Sequence, residues 1–163
     1  MGIYSHAQMR AVFGVRATEW WLRAEAAAML IIVRLGLRIL PYRTARQLLD
    51  RSAGPAAEGP SIEHVRRIAR AVTVVARRLR GSTCLVQALA ANVMLRRRGL
   101  ASEISIGVRR SGSGTTKLEG HAWVEHDGTV ILGAIDNLGD YRVMGTPDGG
   151  LSRLGDPHSH RPD

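Results

Sequence analysis

Cys84 is the only cysteine of the chain, and it stands in Gly81-Ser82-Thr83-Cys84-Leu85-Val86-Gln87-Ala88-Leu89 at the expected start of a helix. Ser82 and Thr83 are N-cap residue types whose hydroxyls accept hydrogen bonds from the unpaired amides of a first helical turn. The partial positive charge of that turn favours thiolate over thiol, and the thiolate is the nucleophile. A free cysteine is also among the residues most often buried as a small hydrophobe, so a chemical role requires a partner. The candidate is His121, in Gly120-His121-Ala122-Trp123-Val124-Glu125. An imidazole can take the thiol proton and later protonate a leaving amine, provided that a third group orients the ring. The chemistry of such a set is hydrolysis or acyl transfer through a thioester.

His126 competes with His121. Side chains alternate along a strand, so His121, Trp123 and Glu125 share one face while Ala122, Val124 and His126 share the other. The glycine before His121 and the indole two residues after it point to close backbone approach and an apolar wall, and His121 is therefore expected to face the cysteine helix. Three aspartates are candidates for the orienting group: Asp127, Asp136 and Asp140. Asp127 belongs to a turn and lies roughly 20 Å along the strand from His121, at about 3.3 Å per residue. If Asp127-Gly128 is a two-residue turn, the position opposite His121 falls near Ala134, and a modest bend brings Asp136 close. Asp136 is the choice, with Asp140 and Asn137 as alternatives. Backbone amides of Cys84 and Leu85 would stabilise an oxyanion, and Gln87, one turn along, is read as structural.

The elements that must position these residues follow from periodicity. Thr18 is expected to cap a long helix running through Trp20, Met29, Leu30, Val33 and Leu40 to Pro41, preceded by a frayed start. A short helix through Ala45, Leu48 and Leu49 leads into a Gly/Pro-rich linker over residues 52–60. Ser61 opens the next helix, with Val65, Ile68, Ala69, Val72 and Ala76 on one face and arginines on the remainder. The cysteine helix follows and closes on Arg96-Arg97-Arg98-Gly99, ordinary C-terminal chemistry. Beyond Gly99 the period becomes two: Ile104, Ile106 and Val108 mark a strand, 111–116 a flexible loop, and His121 to His126 a second strand. Asp127-Gly128 is a hairpin signal, Thr129 to Leu132 returns antiparallel, and another short strand is expected near Tyr141. Helices followed by an antiparallel sheet give an α+β domain. Residues 1–60 read as a helical region and linker with a docking surface for a partner, 61–144 as the catalytic core, and 145–163 as a flexible tail.

Composition narrows the setting. One cysteine excludes an intrachain disulfide and a multi-cysteine zinc site, and fits the reducing cytoplasm. His158 and His160 sit in the tail and are not read as a metal site, and the chemistry requires no cofactor. The net charge of +9 attracts acidic partners, but aromatic content is 4%, and the arginines are not interleaved with the aromatics that a nucleic-acid stacking platform needs. Nucleic acid is therefore not the expected partner. The apolar run Ala26 to Val33 meets Arg34 and Arg38 well before the roughly 20 residues of a bilayer span, so it is expected to pack on the domain or dock a partner rather than contact a membrane. The non-enzymatic alternative is a basic binding module with Cys84 merely buried.

Taken in order, Thr83-Cys84-Leu85-Val86-Gln87-Ala88-Leu89, Leu95-Arg96-Arg97-Arg98-Gly99, Ile106-Gly107-Val108-Arg109-Arg110 and Gly120-His121-Ala122-Trp123-Val124-Glu125-His126-Asp127-Gly128 resemble the transglutaminase-like leader peptidases of lasso-peptide biosynthesis. The resemblance covers roughly Ile62 to Met144, and the helix ending Leu40-Pro41-Tyr42-Arg43 is similar to that family's N-terminal region. It implies a transglutaminase/papain-like fold and a cysteine protease that removes the leader of a ribosomally made precursor, so that a separate cyclase can close the macrolactam. It also implies the split form of the enzyme, which works with a separate leader-recognition protein docked on the first long helix. Cys84 and His121 match the family's nucleophile and base. The sequence departs from the pattern at the triad aspartate, whose place falls near Gly133. An amine acceptor in place of water would make the same dyad an acyltransferase.

Overall fold

The computed structural model describes residues 6–41, 44, 47, 54, 61–110 and 117–144. The expected helix through Ala45, Leu48 and Leu49, the flexible loop 111–116 and the tail 145–163 lie outside the described residues, as does the linker apart from Gly54.

The first helix, α1, runs His6–Ile39, so it begins well before Thr18. Residues 6–17 hold helix formers with one interrupting glycine, whose cost of about 1 kcal/mol relative to alanine is outweighed by continuation into the alanine-rich stretch. The helix stops short of Pro41, as the residue before proline disfavours helical backbone. Ala26, Met29, Leu30 and Val33 are buried, the spacing of one helical face. The opposite face leaves Trp20, Trp21, Ile31, Ile32 and Leu35 exposed.

The second helix, α2 (Ile62–Ala76), starts at Ser61, whose hydroxyl accepts the Glu63 amide, and buries Val65, Ile68, Ala69, Val72 and Ala76. The third, α3, spans Cys84–Arg96, and its residues Val86 and Ala88 to Leu95 are all buried. A helix buried nearly all round sits at the centre of a domain, and α1, α2 and the sheet all pack against it. Ion pairs of Arg67 with Glu19 and of Arg98, just past the end of α3, with Glu25 tie these segments to α1. Gly54 reaches back to the end of α3, its amide donating to the Arg96 carbonyl at 2.9 Å; a Cβ there would come within 2.4 Å of the Arg97 carbonyl oxygen.

Strands β1 (Glu103–Arg110), β2 (Leu118–His126), β3 (Thr129–Leu132) and β4 (Arg142–Val143) form one antiparallel sheet in the order β3-β2-β1-β4. The domain is α+β, as the change of period implies. Asp127 and Gly128 both have positive φ, 48° and 72°, the backbone of the tight hairpin turn that an Asp-Gly pair encodes. The short strand expected near Tyr141 is present as β4. Ile104, Ala122, Val124 and Leu132 join the helices in one buried core.

One buried polar group fastens helix to sheet. Asn92 is 1% exposed, and its Nδ2 donates to the carbonyl and hydroxyl oxygens of Ser102, each at 3.0 Å. Removing the donor leaves the Ser102 carbonyl unpaired beside the core, so Asn92→Ala is expected to lower the unfolding free energy by about 1–3 kcal/mol. Urea denaturation measures this, and an unchanged midpoint would mean that the bond carries no net stability.

Candidate active site

Cys84 is the first residue of α3. Thr83, with extended backbone, caps the helix by accepting the Val86 amide on its hydroxyl at 3.4 Å, while its carbonyl accepts the Gln87 amide at 3.0 Å. The amides of Cys84 and Leu85 precede these first intrahelical donors, and they are the groups an oxyanion would meet. The turn leading in is clamped by α1: Arg34 donates to the Arg80 carbonyl, and Gly81 adopts φ +80° where a Cβ would sit 2.9 Å from the Arg34 guanidinium carbon. Gln87 donates its side-chain amide to the Ser82 carbonyl at 2.9 Å, the structural role expected of it. Cys84 itself is half-buried and packs against the edge of the core.

His121 lies on β2 opposite Gly107. Its ring stacks on Trp123, centroids 6.1 Å apart and planes 20° apart, and meets Tyr141 at 5.6 Å. Its Nε2 is 2.8 Å from the Gly133 carbonyl oxygen. Trp123 in turn donates its indole N–H to Glu125, so the three residues expected on one face are there together. The face packed on the helical core is the other one, carrying Ala122, Val124 and His126. The expectation that His121 faces the cysteine helix is corrected to this extent: Ala122 and Val124 are the β2 side chains packed on the helical core, while the imidazole is held by Trp123, Tyr141 and the Gly133 carbonyl. His126 is only 5% exposed and is held through Nδ1 by the Ala101 carbonyl, which commits it to the loop between α3 and β1. The ring contacts described for His121 are those to Trp123, Tyr141 and Gly133, and no hydrogen bond joins it to Cys84 among the described residues.

The wall beside His121 is built by the chain after β3. Val124 pairs with Leu132 but Glu125 pairs with Val130, so a bulge at Ile131 shifts the register by one residue and β3 ends before it reaches the level of His121. From the β3 edge the chain crosses to β4 on the far side of β1, carrying Tyr141 over Gly107; a Cβ at Gly107 would lie 2.9 Å from that of Tyr141 and 3.0 Å from the Trp123 ring. Arg109 fixes this strap. It pairs with Glu119 at 2.8 Å, lies 5.1 Å from the Tyr141 ring centroid and is 3.9 Å from Asp140. With its amide oxygen turned toward Arg109, Asn137 accepts at 2.5 Å and 3.3 Å. The hydrogen bond with Glu119 raises the guanidinium pKa further above its already high ordinary value, so Arg109 is a fixed cation.

Of the candidates for the orienting group, Asp127 forms the hairpin turn, Asp136 lies in the exposed turn after β3, and Asp140 and the alternative Asn137 lie at Arg109. The group in contact with the imidazole is a backbone carbonyl. The roles of Arg109 and Tyr141 had no signal in residue spacing, because they depend on a crossing that only the sheet order reveals. No cluster of three or more His, Cys, Asp or Glu side chains suited to a metal occurs among the described residues.

The two histidines should separate experimentally. His126→Ala leaves the Ala101 carbonyl without its partner and should cost about 1–3 kcal/mol of stability without altering the rate of Cys84 alkylation by iodoacetamide. His121→Ala should slow that alkylation with less effect on stability. The reverse pattern would make His126 the base.

A sequence model of the transglutaminase-like superfamily matches residues 27–146, a span that contains Cys84, His121 and all four strands. No curated protein and no solved structure matches the chain. Helices followed by a small four-stranded antiparallel sheet are consistent with that superfamily, which typically comprises cysteine peptidases and acyltransferases. The chain belongs to the transglutaminase-like superfamily.

Proposed function

We propose that the protein is a cysteine peptidase that removes the leader from a ribosomally synthesised lasso-peptide precursor. The observation that carries the reading is the sole cysteine at the amino end of the central helix of a transglutaminase-like chain, together with a histidine held on β2. The segments Thr83 to Leu89 and Gly120 to Gly128 support the narrower assignment by their likeness to the leader peptidases.

In this reading the Cys84 thiol gives its proton to His121 and attacks the scissile carbonyl. The amides of Cys84 and Leu85 stabilise the oxyanion. Collapse of the tetrahedral intermediate breaks the C–N bond, and the imidazolium protonates the departing amine of the core peptide. Water, deprotonated by His121, then hydrolyses the leader thioester and restores the thiol. No hydrogen bond joins Cys84 and His121 among the described residues; catalytic hydrogen bonds commonly tighten only when substrate is bound. An amine in place of water in the second half would give acyl transfer, and product mass separates the two outcomes.

The exposed apolar face of α1, with Trp20, Trp21, Ile32 and Leu35, supports the assignment of that helix as the docking surface for a separate leader-recognition protein. Apolar patches of this kind on a basic domain mark interaction sites. The freed core peptide would pass to a macrolactam-forming cyclase. No helix among the described residues is long and apolar enough to cross a membrane.

Incubation with a precursor and its leader-binding protein should release the leader. Turnover should vanish in Cys84→Ala and fall about 10²–10⁴-fold in His121→Ala, the range typical of a lost general acid–base group. Mass spectrometry of the products checks this, and full cleavage by Cys84→Ala would sink the proposal.

A further inference from the structure

The His121 ring is held by a group that is not a side chain. Its Nε2 lies 2.8 Å from the Gly133 carbonyl oxygen. A carbonyl oxygen only accepts, so Nε2 must carry the hydrogen, and the lone pair of the neutral ring is at Nδ1. We propose that the Gly133 backbone carbonyl, rather than a carboxylate, orients His121 and fixes its tautomer, which makes Gly133 the positioning residue of the site and Nδ1 the nitrogen that exchanges a proton with Cys84. The catalytic half of this statement rests on the reading of His121 as the base; the orientation of the ring does not.

The location of that carbonyl is fixed by the backbone. The bulge at Ile131 ends β3 one register step early, and the chain turns away from β2 at Gly133 with φ +85°, where a Cβ would meet the Ala122 carbonyl oxygen at 2.9 Å, the Trp123 Cβ at 2.9 Å and its Cα at 3.0 Å. Left-handed backbone and contact with the neighbouring strand together admit glycine alone. A carboxylate therefore cannot be supplied from residue 133 without moving the strand. The faces of the imidazole are also occupied, by Trp123 and Tyr141, and Arg109 anchors Tyr141. The ring is thus restrained by two aromatic contacts and one hydrogen bond. Asp140 is engaged with Arg109 at 3.9 Å, Asp136 is exposed, and the hydrogen-bond partner of the ring is the Gly133 carbonyl.

A neutral carbonyl can fix orientation and tautomer as a carboxylate does. It provides less stabilisation of the imidazolium, because the acceptor bears no net charge. The site therefore separates two tasks that a triad aspartate combines.

Nitrogen-15 NMR of the full chain labelled at histidine tests this directly. The expected result is a His121 Hε2 signal protected from exchange, with no hydrogen on Nδ1 of the neutral ring, and the same signal in Asp136→Asn. In Gly133→Ala the signal should be lost, and kcat for precursor cleavage should fall about 10²-fold with little change in KM, the scale of an approximately 1 Å misplacement. A hydrogen on Nδ1, or loss of the Hε2 signal in Asp136→Asn, would overturn the proposal. Should Gly133→Ala not fold, the wild-type and Asp136→Asn spectra decide the question. A protected Hε2 in a chain that cleaves no precursor would leave the orientation standing and defeat the peptidase reading instead.

Discussion

A helix that shows almost no surface to water must be held by everything around it, and α3 is such a helix. Its alanines at positions 88, 90 and 91 let neighbouring elements approach closely, while Leu89, Met94 and Leu95 fill the space between them. Each large apolar side chain so buried is worth about 1.5–3 kcal/mol, and directional ties such as Asn92 to Ser102 and Arg98 to Glu25 add to that packing. Because the central helix cannot shift without unpacking α1, α2 and the sheet together, its first residue is held in place. Cys84 owes its fixed position to that burial, and its chemical setting to the open amides of the first turn.

The second restraint acts on His121. A bulge of one residue in β3 sends the chain across β2 and β1 instead of along them, and the crossing assembles Gly133, Tyr141 and Arg109 around His121. Glycine is required at both points of closest approach: at Gly107, so that Tyr141 and Trp123 can lie over the sheet, and at Gly133, so that its carbonyl can reach the ring. Charge enters through Arg109, which ties Glu119, Asn137 and Asp140 into a single group. The site is thus set by backbone geometry and aromatic packing, with the acidic residues serving the strap.

Much of this was legible in the residues. Thr83 before Cys84, the change from helical to twofold period after Gly99, and the Asp127-Gly128 turn are local signals, and the local backbone follows them. The alternation that groups His121 with Trp123 is equally local and holds. Which face of β2 meets the helices is a tertiary matter, and there the apolar character of Ala122 and Val124 was the better guide than the glycine before His121. The register opposite His121 was displaced by the bulge, which has no marker in Thr129 to Leu132. The start of α1 was placed too late, because a capping residue at Thr18 carries no weight when helix formers precede it.

The chain belongs to the transglutaminase-like superfamily, and the proposal of covalent catalysis at Cys84 is the claim on which the account stands. The direct measurement is acid quenching during precursor turnover, followed by mass analysis of the chain. A leader acyl group on the peptide containing Cys84, released by hydroxylamine, is the result the account requires. Consumption of precursor with Cys84 unmodified throughout, even when the deacylation step is slowed, would contradict it.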